Sequence, residues 1–385
     1  MTADSGRPTR STTTRPLRAS TPTLLALVLL LVCGLVPARV SAQDDKPADA
    51  KKEKKEKKGN EPKAEKSVPL FFQSEAPLAM TLTTNIKQIR KDKGEDAPWR
   101  WASLTYDSAG KPAQMPVRIH TRGIWRLRNC NFPPVRLNFS GKETKGTLFH
   151  DLEHPKLVSY CRDTDPYEQY ILQEYQLYRI YQLLTPVSHR VRLVKLAYVD
   201  SASQKKEAER YAIIVEDPNQ LASRNLAKIV KIKGAGPGDL EAKELALAYL
   251  FEYLIGNLDF SFNGLHNTEL LATTDGRMLP VAYDFDFSGA VNTSYATPPP
   301  DYGVPNVRTR KFMGYCELQD EFPGALAVLQ EKKEAIYALY HDDIGKLMNP
   351  DVVRETLRYF DDFYNDVRTP KDAQRNIFDR CIRRG

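Results

Sequence analysis

The stretch Gly256–Gly289, GNLDFSFNGLHNTELLATTDGRMLPVAYDFDFSG, decides how this chain is read. Asp275-Gly276 is a two-residue turn signal, and Asn267–Thr273 and Met278–Phe285 read as the strands on either side of it. With a two-residue turn, Thr274 faces Arg277 and Asn267 faces Asp284. Facing residues hold their Cβ atoms about 4.5–5.5 Å apart. Asp286 lies two residues past Asp284 and so shares its face if the strand continues. Asp259 follows a predicted helix that ends at Gly256-Asn257, close enough in sequence to return to the same spot. A single Asp at a strand end is usually a turn former. Two acids inside an aromatic, strand-like run are harder to explain that way, because buried carboxylates are costly unless paired, hydrogen-bonded or bound to metal. The pattern predicts a hard-oxygen site for Mg²⁺ or Mn²⁺, with Asn267, Asp284 and Asp286 as ligands.

Outward from this stretch, the chain divides by composition. Residues 1–42 read as a cleaved export signal. Arg7, Arg10, Arg15 and Arg18 precede the apolar run Leu24–Val36, and Val40-Ser41-Ala42 fits a cleavage site. The apolar run is short for a membrane span, so no span is expected in the mature chain. Residues 43–66, dominated by KKEKKEKKGNEPKAEK, contain no apolar residue larger than alanine and read as a disordered linker. The formal charge of +7 comes mostly from these two segments, leaving residues 67–385 close to neutral. That excludes a strongly basic nucleic-acid-binding domain. The expected location is outside the cytoplasm: periplasm, cell envelope or secreted. Four cysteines remain after the signal, and the expected disulfides are Cys130–Cys161 and Cys316–Cys381, each within one half of the chain. The histidines form no zinc-binding spacing.

Residues 67–217 read as mostly β with one long helix from Pro166, PYEQYILQEYQLYRIYQLL. The strands fall at Pro69–Asn85, Trp99–Tyr106, Met115–His120, Val135–Phe139, Leu157–Tyr160, Arg190–Asp200 and Tyr211–Glu216. A basic connection, TRGIWRLRNCNFPP, carries Arg122, Arg126 and Arg128. Residues 218–385 read as mainly helical, with segments at Asp239–Ile255, Pro323–Met348, Asp351–Val367 and Lys371–Arg383. The acidic hairpin follows soon after the change of character, and ligand sites commonly lie between lobes.

The same residues resemble the CotH kinase family, atypical kinases first associated with spore coats. The resemblance covers most of Val117–Ala296. It is carried by Arg118, Arg122 and Gly123 (R-x-x-x-RG), by NFPPVRLNF and RYAIIVEDPNQLASRN, and most specifically by LIGNLDFSFNGLHN and VAYDFDFSG. It implies an α+β, atypical protein-kinase-like fold, with a β-rich N-terminal lobe and a mainly helical C-terminal lobe. It also implies transfer of the ATP γ-phosphate with Mg²⁺ or Mn²⁺, to Ser or Thr hydroxyls of a secreted or envelope protein. Asp259 then takes the catalytic position, with Asn267, Asp284 and Asp286 on metal. The phosphate-binding cation is Arg136, where the family tends to carry Lys, or Lys156, with Glu174 as helix partner for either. Arg122 reaches phosphate from the loop and Glu216 lies near the hinge. Arg pairs differently from Lys, so the nucleotide contact is open. A scaffold that keeps this site without transfer is the alternative, since an ATP pool is not expected outside the cytoplasm. Metal-dependent hydrolysis of phosphoesters or glycans ranks third.

Overall fold

Apolar residues alternate along the first strands, and this places their side chains on one inner surface. In the computed structural model, described for residues 68–94 and 96–384, seven strands wind into a closed barrel. They are β1 (Leu78–Thr84), β2 (Arg100–Ser108), β3 (Lys111–Thr121), β4 (Val135–Asn138), β5 (Lys156–Val158), β6 (Val191–Asp200) and β7 (Lys206–Val215). Leu82, Leu104, Val117, Ile119, Leu137 and Leu157 are all at most 1% exposed. The expected export signal lies outside the described residues, as does the Lys/Glu-rich linker.

The strand order is β1-β2-β3-β4-β5-β7-β6. Closure comes from a parallel pairing of β1 with β6, running from Leu78 opposite Val194 to Thr84 opposite Asp200. This corrects the kinase-like architecture expected from the sequence, because a closed seven-stranded barrel is not a kinase lobe. The expected strands lie close to the observed ones, but alternation reports which face of a strand is buried, not which strand lies beside it. A residue run as apolar as β6, VRLVKLAYV, is buried on both faces, as parallel-paired strands are.

The helix Asp165–Leu184 has Pro166 in its first turn and lies against β6 and β7. Every residue from Ile171 to Tyr181 is buried, polar ones included. Its Glu168 receives Lys195 at 2.9 Å and the Tyr211 N–H at 2.9 Å, fixing it to the barrel. A second sheet, ordered β10-β9-β8, consists of β8 (Ala227–Val230), β9 (Thr268–Thr273) and β10 (Met278–Ala282). β8 has no counterpart among the expected strands. The helix Ala242–Ile255 packs on β10 and is covered by Phe322–Glu331 and Pro350–Asp366.

Cys130–Cys161 and Cys316–Cys381 form as expected. They close loops of 31 and 65 residues, which in a chain-entropy treatment stabilises the fold by about 4 kcal/mol each. Two disulfides are compatible with an exported protein. Among the described residues, no helix is long and apolar enough to cross a membrane.

Candidate functional site

The acidic stretch does converge, though in a different register from the one expected. Gly276 adopts φ +89°, and Thr273 N–H bonds Arg277 O at 2.9 Å, so the turn has three residues rather than two. Thr268 therefore faces Ala282, and Tyr283 N–H reaches Asn267 O at 3.0 Å. Asn267 is opposite Tyr283, not Asp284. One extra turn residue would normally send a side chain to the other face. Here both strands end first: Asn267 and Asp284 take left-handed conformations with φ +51° and +67°. Asp284 is held there by its N–H, which donates to Tyr178 Oη at 3.0 Å. Leu265 is also left-handed, so three of the eight such non-glycine residues described line this one cavity. Strain of this kind gathers at functional sites.

Two glycines close the loop behind the cavity. Gly256 caps the helix Ala242–Ile255 at φ +65°, and Gly289 N–H bonds Gly256 O at 3.0 Å. A Cβ at either glycine would run into the Tyr359 hydroxyl. The GN and FSG motifs thus need glycine because one tyrosine packs between them. Asn257 Oδ1 then accepts the Asp259 N–H at 3.0 Å and turns the chain toward the cavity.

The cavity encloses about 460 Å³ and is lined by Asp259, Asn267, Asp284 and Asp286 together with Arg122. That is a normal size for a small-molecule site. A larger groove of about 580 Å³ between Tyr340 and Asp361 has no such convergence of acids. Asp259 Oδ1 meets His266 Nε2 at 2.9 Å, and Asn267 Nδ2 donates to Asp259 Oδ2 at 3.0 Å. The bond to Asp259 raises the His266 pKa. His266 escapes a sequence reading that looks only for metal-type histidine spacings; its place one residue before Asn267 is the available signal.

Asp286 is buried, and its Oδ2 accepts from Arg126 Nε at 3.0 Å and Tyr295 Oη at 2.9 Å. Arg126 also reaches Glu174 Oε2 at 2.7 Å. Glu174 was expected to partner Arg136 or Lys156; its actual partner is Arg126, from the short helix Trp125–Asn129. Burial pushes the Glu174 pKa up against the pull of Arg126, with Asp286 and Asp284 adding to the rise. Burial does the same to Asp286. Glu174 Oε1 is buried without a hydrogen-bond partner, so it is the natural seat of a proton.

The other expected cations and acids lie outside the cavity lining. Lys156 is buried against Glu269 at 3.0 Å and over the Tyr283 ring at 4.0 Å. Its pKa falls because burial outweighs Glu269. Glu269 also meets His189 at 3.1 Å. Arg136 pairs across the sheet with His120 and Lys156. Glu216 closes the end of β7, accepting the Arg190 N–H at 3.0 Å and Arg224 Nε at 3.1 Å. These bonds fix backbone and give it a structural role.

The donor set bears on metal binding. Among the described residues, no three His, Cys, Asp or Glu side chains are grouped to hold an ion. Among those same residues, Asp284 accepts no hydrogen bond at its carboxylate, Asn267 uses only its Nδ2, and Asp286 uses only Oδ2. Two carboxylates and an amide oxygen suit Mg²⁺ or Mn²⁺ when water and phosphate complete the shell. They do not make a stand-alone cage. No protein-family description matches this chain, and no curated protein is similar to it in sequence.

Proposed function

We propose that this chain is a metal-dependent phosphotransferase that moves the γ-phosphate of ATP to a Ser or Thr hydroxyl of an exported protein. The observation that carries this reading is the shared cavity: Asp259, Asn267, Asp284, Asp286 and Arg122, which has no acidic partner among the described residues, line one space. The resemblance of LIGNLDFSFNGLHN and VAYDFDFSG to the CotH kinases supplies the chemistry. The reading does not require the kinase fold, because phosphoryl transfer depends mainly on positioning and charge neutralisation.

Asn267 and Asp284 would hold a Mg²⁺ or Mn²⁺ ion, which supplies neutralisation of phosphate charge when bound. Arg122 contributes positive charge from the cavity lining. Asp259 orients the acceptor hydroxyl and takes its proton as the oxygen bonds to the γ-phosphorus and the bond to ADP breaks. Asn267 Nδ2 and His266 fix the Asp259 carboxylate in place. Arg126 holds Asp286 and Glu174, so Asp286 contributes to the ion only through its remaining oxygen.

Calorimetric titration with ATP and Mn²⁺ or Mg²⁺, beside Asp284→Ala, tests this. Saturable binding in wild type and none in the variant is expected. Either metal alone should bind far more weakly than with ATP, because the protein offers too few ligands. Absence of nucleotide binding by the folded protein with both metals would sink the proposal and leave the scaffold alternative.

A further inference from the structure

Two of the three tryptophans stand at the exposed end of β2. Trp101 is 71% exposed and Trp99 is 37% exposed, and few other large apolar side chains are exposed among the described residues. Arg118, across the ladder from Trp101, lies 6.0 Å from the Trp101 ring and 5.8 Å from Trp99. His120 follows on the same face, its ring centroid 5.2 Å from that of Trp99 and tilted 46° to it. Arg118 and His120 have no acidic partner among the described residues. β3 then ends at Thr121, and the next residue, Arg122, forms the cavity wall. An aromatic strip carrying the Arg118 guanidinium therefore ends one residue before the lining of the candidate site.

We infer that this strip, Trp99, Trp101, Arg118 and His120, docks an extended acidic segment of the protein that presents the acceptor hydroxyl. The assignment of the acceptor rests on the function proposed above; the docking itself does not. Three observations favour a polypeptide. Side chains on one face of β2 and β3 repeat every two residues, the same pitch as an extended peptide lying along them. Trp and Arg are the side chains that most often anchor protein partners. Arg118 and His120, with Arg136 opposite His120 on β4, are also fewer than the four to eight basic residues that an anionic bilayer takes. The Arg118 guanidinium, with no acidic partner among the described residues, favours an acidic segment and makes its binding salt-sensitive.

Fluorescence anisotropy with two labelled peptides tests this. One is a short Glu-rich peptide with Tyr residues and a central Ser; in the other every Glu is replaced by Gln. Vesicles with and without anionic lipid form a parallel arm. The wild-type protein should bind the Glu peptide more tightly than the Gln peptide, and less tightly as salt rises. Trp101→Ala and Arg118→Ala should each weaken binding by on the order of ten- to thirtyfold. Both residues are exposed, so the thermal midpoints should not move, which separates lost docking from lost folding. Equal binding of both peptides, or unchanged binding in the two variants, would overturn the inference. Binding confined to anionic vesicles would overturn it too and assign the strip to a membrane surface. Asp284→Ala should retain peptide binding. Docking in a protein that binds no ATP would therefore refute the phosphotransferase alone, while ATP binding without docking would refute only this inference.

Discussion

Replacing Glu252 with glutamine isolates one buried acid behind the candidate site. Glu252 sits on the helix Ala242–Ile255 with 1% of its surface exposed, and neither carboxylate oxygen has a hydrogen-bond partner. Burial pushes its pKa up from 4.5 to about 8; the nearby Asn257 amide opposes this without reaching hydrogen-bond geometry, and Asp259 adds to it. The folded protein thus holds a proton that the unfolded chain releases. Stability from this residue is complete below pH 4.5 and is lost as pH rises toward about 8. Every tenfold change in proton affinity between the folded and unfolded chains is worth about 1.4 kcal/mol, so the loss across the window has an upper bound of roughly 4–5 kcal/mol. Glu252→Gln keeps the shape and removes the titration. Denaturant unfolding of both proteins across the pH range reads the difference, in which the other shifted acids cancel. The two should match near pH 4.5, with the variant gaining steadily to pH 8. A difference that does not depend on pH would refute the reasoning. So would a variant that is less stable at pH 8, because Glu252 would then be charged and paired.

Arg126→Met should be among the most damaging substitutions near the cavity. It leaves Glu174 and Asp286 buried without their cation, at a cost of about 3–5 kcal/mol by denaturant unfolding. Glu174→Gln, by contrast, should change stability by less than about 1 kcal/mol, because the residue already favours its neutral form. Gly256→Ala should cost more than about 2 kcal/mol, combining the left-handed backbone with a clash against the Tyr359 hydroxyl. Adding Tyr359→Phe should recover part of that loss, whereas full additivity of the two variants would show that the hydroxyl is not the obstacle.

The acidic stretch is readable because its information is local. Gly256, Asp259, Asn267 and Asp284 lie within 29 residues, and turn, strand and cap signals place them with no knowledge of the rest of the chain. Even so, the turn is one residue longer than its sequence suggests, and Asn267 and Asp284, which line one cavity, both leave their strands in left-handed conformations. Periodicity gives the positions of most strands and of the helix Asp165–Leu184. It cannot give barrel closure, which depends on β1 meeting β6 more than a hundred residues later. Nothing in either strand alone specifies that partner.

The same distinction explains why the cations are harder to assign than the acids. Arg126 binds Asp286 across 160 residues and Glu174 across 48, and Lys156 binds Glu269 across 113. Each arginine or lysine in these runs is locally equivalent to its neighbours, so sequence offers no reason to choose Arg126 over Arg122 or Arg128. The fold makes the choice by burial. Arg126 is enclosed, and an enclosed guanidinium requires carboxylates, which the acid-rich segment and the helix provide. Arg122, four residues earlier, faces the cavity with no acid of its own among the described residues. One arginine of the RGIWR segment therefore joins the barrel to the acidic turn, and the other leaves its charge available to a ligand. Under the proposed function, phosphate binding falls to Arg122, because the Arg126 charge is already engaged by the Asp286 carboxylate and by Glu174 and has little left to offer an incoming anion.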